Sequence, residues 1–342
     1  MRVRKIMSLL LVLCLALGLF GCGGSEQAGP EQNTSETTDT GTTGQDDYVV
    51  RMPMQSAICS APVFVAMEKG FLDEMGVKYD YINSETNAWD LLAADKADVT
   101  YGLLPTFIQR IANGFDLNVV AGVHFGCINV VASEDSDIQS IADLKGKKVG
   151  IPGSMGSDPA IMLQRLLIAN NIAISDVDLQ VYTNADLETA LLEGHIDAFI
   201  SWDPYATAVA RRMDGRIVYN SATDDLTKDE FCCVVGLRRG FVEEHPEVAK
   251  RYVKAIEKAS QWIAENPVEA AKLIYEKGYV ADPDYELNGE LLDSYNFTAK
   301  YQAAKDSFVK VTQDLMDLGI ISINVSAEEF ADNVFVNVGE LE

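Results

Sequence analysis

From residue 48 onward, apolar and polar positions alternate in a way that predicts short strands followed by helices. Apolar runs such as "YVVRMPM" (48–54) and "DVTYG" (98–102) have the length of strands. Each is followed by a segment with helical periodicity, for example "PVFVAMEKGF" (62–71). The same rhythm returns after residue 145, which predicts two α/β lobes with mostly parallel sheets. Beyond residue 240 the pattern is helical almost throughout.

One stretch of each predicted lobe repeats the same order of features. "WDLLAADKADVTYGLLP" and "ETALLEGHIDAFISWDP" each run from a helix through an aspartate and an apolar strand to a proline. Asp98 and Pro105 are seven positions apart, as are Asp197 and Pro204. We interpret the repeat as two lobes built on one plan, although segments of this composition also match by chance.

Four prolines fall where a strand-like run gives way to a helix-like run: Pro62, Pro105, Pro159 and Pro204. Proline suits the first helical position, where its missing N–H costs no hydrogen bond. Residues that can cap these helices stand before three of the prolines: Ser60, Asp158 and Asp203. In an open parallel sheet, helix starts gather at the carboxyl ends of the strands, where ligands bind and free N–H groups favour polar or negative groups. Together the four prolines predict a cleft between the lobes, whereas each alone marks only a well-formed helix start.

The first 47 residues predict targeting and tethering segments instead of a fold. A basic start, "MRVRK", precedes an apolar stretch shorter than the roughly 20 residues that span a bilayer. The stretch ends in "LFGCGG", which resembles a bacterial lipoprotein lipobox. Residues 1–21 are then a signal peptide and Cys22 carries the lipid, an ordinary signal peptide being the alternative. Residues 22–47 lack the apolar residues needed to fold, which predicts a flexible tether.

Charge and composition narrow the classes of partner. The 342 residues carry a formal net charge of −25, which argues against a basic face for nucleic acid or anionic lipid. Hydrophobic residues make up 48% of the chain, enough for two lobes with cores of their own. The net charge does not identify a ligand, because bulk charge is screened within about 10 Å at ordinary ionic strength.

Three segments carry a family resemblance: "AMEKGFLDEMGV" (66–77), "IADLKGKKVGIPGSMGS" (141–157) and "LLEGHIDAFISWDPY" (191–205). Their order and spacing within residues 48–265 resemble those of substrate-binding proteins of ABC importers in the nitrate, sulfonate and taurine group. That group also includes binders of thiamin pyrimidines.

The resemblance implies an α/β, two-lobed periplasmic-binding-protein-like fold of type II, with two crossovers between the lobes and a helical C-terminal region packed mainly on the first lobe. The crossings are expected within 127–137 and 231–240. Lobe 1 then comprises residues 48–126 and 238–342, and lobe 2 comprises residues 127–237. We therefore expect an extracytoplasmic monomer without a cofactor, anchored to the membrane by the lipid on Cys22. It captures a small molecule by hinge closure and delivers it to a membrane permease with its ATPase.

Carried over by position, the resemblance also gives candidate ligand-binding residues: Gln55, Ser56, Cys59, Ser60, Gly102, Leu103, His124, Ser154, Ser157, Asp158, Trp202 and Asp203. Trp202 is expected to form a flat apolar wall, and Asp203 to cap a helix or touch the ligand. The match at "WDPY" favours a sulfonate-like or nitrate-like oxyanion. Yet Asp158 would compete with an anion for N–H groups, and the pocket loops contain no Lys or Arg. A neutral or zwitterionic ligand therefore stays open, as does an anion held by N–H groups and hydroxyls alone.

Four cysteines follow Cys22, and all fall on segments expected to border the cleft or the hinge: Cys59, Cys127, Cys232 and Cys233. Thiolate and imidazole ligands suit Cu(I) or Zn. An alternative function is therefore binding of a soft metal or a thiol-ligated compound through Cys59, Cys127, Cys232 and His124. The sequence contains no CxxC pair, and buried free thiols or a disulfide on the exported side are the plainer interpretations.

An enzyme is not predicted, because no Ser-His-Asp or paired-carboxylate pattern stands out. A yeast-type pyrimidine synthase shares the fold, but "FCCVVG" (231–236) is too short to resemble its cysteine-rich run. A sensor built on the same module is a further alternative, since a fold does not fix a function. Neighbouring permease and ATPase genes would separate an importer from a sensor.

Overall fold

The computed structural model describes residues 47–83, 87–297 and 301–339. The expected signal peptide, the lipidation site Cys22 and the expected tether up to residue 46 lie outside the described residues. Among the helices that are described, none combines the length and the apolar character needed to cross a bilayer.

The described residues contain ten strands in three sheets. The strands are β1 (Val49–Pro53), β2 (Lys78–Ile82), β3 (Val99–Leu103), β4 (Leu117–Phe125), β5 (Ile128–Ala132), β6 (Lys148–Pro152), β7 (Asp178–Tyr182), β8 (Ala198–Trp202), β9 (Arg216–Asn220) and β10 (Phe231–Arg238).

Thirteen α-helices accompany these strands in the described ranges. They are α1 (Ala61–Glu68), α2 (Phe71–Glu74), α3 (Ala88–Ala93), α4 (Leu104–Ala112), α5 (Asp158–Ala169), α6 (Leu187–Leu192), α7 (Tyr205–Arg212), α8 (Arg239–Glu244), α9 (Pro246–Glu265), α10 (Pro267–Glu276), α11 (Tyr285–Ser294), α12 (Tyr301–Asp317) and α13 (Ala327–Val334).

The sheets divide the chain between two lobes. In the first lobe, β1 and β2 form a parallel pair, and β10 lies between β3 and β4, antiparallel to both. The second lobe holds the five-stranded sheet β7-β6-β8-β5-β9, in which β6 is parallel to β7 and β8. Strand β5 is antiparallel to β8 and β9.

The expectation of mostly parallel sheets is wrong, because two crossing strands change the pattern. Four of the seven strand pairings are antiparallel, and each of these four includes β5 or β10. These two strands follow the passages of the chain from one lobe to the other. A strand that enters a sheet from the opposite lobe runs against strands joined by helical crossovers, which are parallel.

The expected return crossing also needs correction. A boundary between residues 237 and 238 assigns β10 to the second lobe, but β10 is hydrogen-bonded to first-lobe strands on both sides. The return passage lies in the segment between β9 and β10, residues 221–230. On the outbound side, only Gly126 and Cys127 separate β4 from β5. The remaining limits of the lobes stay a prediction.

Three of the four prolines stand one position later than expected. Pro62, Pro105 and Pro159 are the second residues of α1, α4 and α5. Pro204 precedes α7, and the Asp203–Pro204 peptide bond is cis. Of the three expected caps, Ser60 makes no capping hydrogen bond and Asp158 lies inside its helix. Asp203 supports its helix from the position before the N-cap Pro204, because its carboxylate accepts the backbone N–H of Thr207 at 3.2 Å.

The repeated aspartates occupy equivalent places in the two lobes. Asp98 accepts the backbone N–H of Arg51 at 2.8 Å and returns its own N–H to the Arg51 carbonyl at 2.9 Å. Asp197 does the same with Lys148, at 2.7 and 2.8 Å. Each aspartate thereby connects the residue before its strand to an earlier strand of the same lobe. This matching geometry supports the interpretation of two lobes built on one plan.

The C-terminal helices pack mainly on the first lobe, as the resemblance implies. Helix α9 packs against α1 and α2, whereas α12 packs against α4 and β4. A buried ion pair also links the second lobe to this region: Arg165 of α5 donates to Glu230 at 2.7 and 2.9 Å and to Asp314 of α12 at 2.7 Å. Because the Arg165 side chain is fully buried, both carboxylates are needed to offset its desolvation.

Candidate functional site

A cleft with a volume of about 1280 Å³ lies between the lobes. The first lobe contributes residues 54–60 after β1, 87–89 at the start of α3, and the end of β3. The second lobe contributes the loop from β6 to α5 and the residues that follow β8. This space exceeds the roughly 300–1,000 Å³ typical of small-molecule pockets, so it has room for a small ligand together with water.

Eleven of the twelve predicted site residues line this cleft: Gln55, Ser56, Cys59, Ser60, Gly102, Leu103, Ser154, Ser157, Asp158, Trp202 and Asp203. The twelfth, His124, is not part of the lining. It lies fully buried near Cys59 and Cys233, behind the cleft surface. The structure therefore brings the predicted loops together around one hollow.

Two of the lining residues from the first loop already have partners within the protein. The Gln55 amide donates to the Tyr101 carbonyl at 2.8 Å and accepts the Tyr101 N–H at 2.9 Å, so it is held against the middle of β3. The Ser56 hydroxyl donates to the Tyr279 carbonyl at 2.6 Å. These hydrogen bonds fix the loop and leave the two side chains less free to bind a ligand.

Asp158 crosses the cleft from the second lobe. A Cβ atom placed on Gly102 would lie 3.7 Å from its Oδ2 atom, which puts the carboxylate at the start of α4 in the opposite lobe. Burial raises the pKa of Asp158, and the Thr106 hydroxyl, the Leu103 N–H and the Arg110 charge partly offset that rise. The carboxylate thus occupies the helix start that an anionic ligand would use.

Arg110 is the feature of the cleft that sequence reasoning missed. It is the only Lys or Arg among the described lining residues, and its Cζ atom lies 4.6 Å from the centre of the Trp89 ring. Its Nε atom is buried and has no hydrogen-bond partner in the described part of the chain. The prediction concerned loops, whereas Arg110 lies in α4, five residues after Pro105. A single cation within the apolar helix "LPTFIQRIA" was the available signal.

Ser157 offers a second unsatisfied group on the facing wall. It precedes α5 as the N-terminal cap residue but makes no side-chain capping bond. Its Oγ atom is buried without a partner in the described residues, although the side chain borders the cleft. A buried hydroxyl in this position gains from an incoming hydrogen-bond partner.

Trp202 and Asp203 follow β8 and have different roles. Trp202 is half-buried and lines the cleft, as expected of an apolar wall. Asp203 is only 6% exposed, and it accepts the Thr207 hydroxyl at 2.6 Å as well as the Thr207 N–H. Burial raises its pKa despite these hydrogen bonds. Asp203 therefore stabilises the start of α7, which was one of its two expected roles.

The four thiols meet at the floor of the cleft. All are free, and the Cys127 and Cys232 sulfur atoms lie 3.0 Å apart. The pKa of Cys59 lies well below its ordinary value, because the neighbouring thiols of Cys127 and Cys233 hydrogen-bond to its thiolate. Burial raises the pKa of Cys232. One thiol of the group is therefore predisposed to ionise before its neighbours.

The chain matches the family model described as "NMT1/THI5 like" over residues 58–270. It is 25% identical over 340 residues to a Bacillus subtilis (strain 168) protein whose name provisionally assigns it the binding of aliphatic sulfonates. That alignment covers 96% of this chain and 95% of the relative.

Two solved structures share the fold. The periplasmic aliphatic sulphonate binding protein SsuA from Escherichia coli superposes with a TM-score of 0.66 and 19% identity, covering 82% of this chain and 91% of that one. The periplasmic nitrate-binding protein NrtA from Synechocystis PCC 6803 gives a TM-score of 0.67 and 17% identity, covering 85% and 87%. Both comparisons show the two-lobed periplasmic-binding-protein fold.

Proposed function

The chain belongs to the NMT1/THI5-like family, and from that premise we propose that it is the solute-binding component of an ABC importer. Its ligand is a small oxyanion of the sulfonate or nitrate kind, held in the cleft between the lobes. The relatives and neighbours compared above are named for binding sulfonates or nitrate, which supports this ligand class. Because those proteins are named for binding, we propose no catalytic activity.

The observation that carries the ligand class is the Arg110 guanidinium on the cleft wall. Its buried, unpaired Nε–H is a donor that gains most from a charged acceptor, since hydrogen bonds to ionised groups are about twice as strong as neutral ones. The Trp89 ring beneath the guanidinium restricts its position. An oxyanion next to Arg110 would remove an unsatisfied polar group that the protein otherwise keeps buried.

The facing wall supplies groups that suit the rest of such a ligand. The unpartnered Ser157 hydroxyl can donate to an anionic oxygen. Trp202 and Ile128 add apolar surface against which an organic substituent can pack. Ligand contacts from both walls would stabilise the closed arrangement of the lobes more than an open one, which is the condition for binding to drive closure.

The proposed function also includes delivery of the ligand to a permease and a location at the outer side of the membrane. The closed form would dock on a membrane permease that works with an ATPase, and a lipid on Cys22 would hold the protein outside the cytoplasm beside that permease. Two acyl chains or more are needed for stable anchoring. We expect a monomer. A sensor using the same module would bind the same ligand but would lack neighbouring permease and ATPase genes.

Calorimetry with short alkanesulfonates and with nitrate tests the ligand class. Arg110→Met keeps an apolar side chain on Trp89 but removes the charge, and we expect the sulfonate affinity to fall by roughly tenfold to a hundredfold, as the loss of a charged hydrogen bond worth about 1.5–3 kcal/mol requires. Arg211→Met is the matched control, because Arg211 pairs with Glu290 on the surface and does not line the cleft. Equal affinity in the Arg110 variant and the wild type would refute an anion site at Arg110.

A further inference from the structure

A cluster of thiols and one imidazole lies at and just behind the floor of the cleft, and the oxyanion proposal does not use it. The ligand atoms of Cys59, His124 and Cys233 all lie within 4.8 Å of one another, and a second set overlaps it at His124 with Cys127 and Cys232. His124, Cys127, Cys232 and Cys233 are buried, whereas Cys59 is half-buried and borders the cleft. The cluster therefore has both a dry interior and an opening.

Local distortion of the first-lobe sheet creates this cluster. Neighbouring residues of a regular strand point to opposite faces, but the pairing of β10 with β4 shifts register on both sides of Cys233. The irregularity brings Cys232 and Cys233 together opposite His124, near the end of β4. A bulge of this kind re-aims side chains next to functional sites.

His124 is prepared to act as a ligand. Its Nδ1 atom lies 3.4 Å from the Phe125 carbonyl oxygen, an acceptor that favours the tautomer with the proton on Nδ1. Its Nε2 atom then bears a bare lone pair, and this buried atom has no partner in the described residues. The Tyr295 ring, stacked at 4.9 Å, holds the imidazole plane. A metal-binding histidine has this arrangement, with the other ring nitrogen fixed by a carbonyl.

We propose that Cys59, Cys233 and His124 bind a soft or borderline metal ion of the Zn²⁺ or Cu⁺ class, with the fourth coordination position directed toward the cleft. Zn–S bonds of about 2.3 Å and Zn–N bonds of about 2.0–2.1 Å place tetrahedral ligand atoms less than about 4 Å apart, so these side chains need shifts below about 1 Å. This set differs from the one expected from sequence, because Cys233 takes the place of Cys127 and Cys232. The oxyanion proposal uses none of these three side chains, so the metal site is tested independently of it.

Zinc binding to the reduced, metal-free full-length protein tests the site. We expect one Zn²⁺ per chain by equilibrium dialysis with elemental analysis, and no uptake of the hard cation Mg²⁺. Cys59→Ser and Cys233→Ser should each lower the zinc affinity at least a hundredfold. Cys232→Ser is the matched control, because it alters the adjacent thiol of the same strand, and its affinity should stay within about threefold of the wild type.

A second measurement keeps the proposal testable if a variant fails to fold. Co²⁺ added to the wild-type protein should give intense thiolate-to-cobalt absorption together with the visible bands of a tetrahedral site. Loss of zinc uptake in the Cys59 and Cys233 variants, but not in the Cys232 variant, would support the assignment. If the Cys59 and Cys233 variants do not fold, the expected cobalt spectrum of the wild-type protein would support it instead. Absence of zinc binding by the reduced wild type, a cobalt spectrum without thiolate absorption, or equal loss in Cys232→Ser would overturn it.

Discussion

Asp98 in the first lobe and Asp197 in the second make the same pair of backbone hydrogen bonds in unlike surroundings. Asp98 is fully buried and also accepts the guanidinium of Arg51 at 2.6 Å, that of Arg238 at 3.2 Å and the Tyr48 hydroxyl at 3.0 Å. Asp197 is exposed, and its described side-chain hydrogen bond goes to the Lys148 N–H alone. The same motif therefore forms part of a charge network in the first lobe, whereas in the second lobe it makes only hydrogen bonds to the backbone.

The two aspartates differ in burial because different parts of the chain pack around them. The C-terminal helices pack on the first lobe, and β10 brings Arg238 next to Asp98 from 140 positions away. None of the described hydrogen bonds and ion pairs joins Asp197 to a residue of that region. Burial favours a neutral Asp98, but hydrogen bonds from Arg51 outweigh it and hold the Asp98 pKa below its ordinary value. Depth of burial thus decides how much one motif contributes to stability.

The walls of the cleft differ as well. The first-lobe wall presents Arg110, whereas the second-lobe wall presents Asp158, whose carboxylate reaches the start of α4. A cation and an acid that face one hollow have opposing effects on an anionic ligand. The balance between them depends on how the two walls face each other, not on either lobe by itself.

The largest expected effect comes from breaking the first-lobe network. Asp98→Ala leaves Arg51 and Arg238 partly buried without their shared carboxylate, and we expect it to lower the free energy of unfolding by about 3 kcal/mol. Urea unfolding followed by circular dichroism measures this loss. A change below about 1 kcal/mol would show that the network contributes no more than its backbone hydrogen bonds.

An intermediate effect should follow from removing the acid on the opposite wall. Asp158→Asn takes away the negative charge that competes for the start of α4, and we expect oxyanion affinity to rise about tenfold, equivalent to about 1.4 kcal/mol. Calorimetry with the same sulfonates as used for Arg110→Met measures it. Lower affinity in the variant would mean that the ligand binds as a cation or zwitterion to Asp158.

A pH series serves as the control for Asp158. Because burial raises its pKa, Asp158 gains its proton at a higher pH than an ordinary carboxyl group as the solution is acidified. Anion affinity in the wild type should therefore increase as the pH falls through that pKa, and the increase should be absent in Asp158→Asn. The same pH dependence in both proteins would assign it to another group.

The smallest effect is expected in the second lobe. Asp197→Ala removes one hydrogen bond at an exposed position, and the free energy of unfolding should fall by about 0.5–1 kcal/mol. The comparison with Asp98→Ala under identical urea conditions is the informative quantity. Equal losses for the two substitutions would contradict the view that burial separates the two copies of the motif.

The sequence was sufficient for the features that depend on near neighbours. Helical and strand periodicity, the prolines in the first turns of α1, α4 and α5, and the loops that line the cleft each depend on residues close together in the chain. The predicted loop residues do surround one hollow. The prediction that the sheets are mostly parallel failed, since strand direction depends on the path between lobes and not on local pattern.

The chain alone determined the class of fold and the set of loops at the cleft, because apolar periodicity and helix-start chemistry are local properties. Only the tertiary structure decided which of those residues are free. Gln55 and Ser56 are engaged by residues 46 and 223 positions away, while Arg110 keeps an unpaired donor. The meeting of Cys59, His124 and Cys233 likewise depends on packing, since contacts between distant residues arise only when the sheets and helices close around one core.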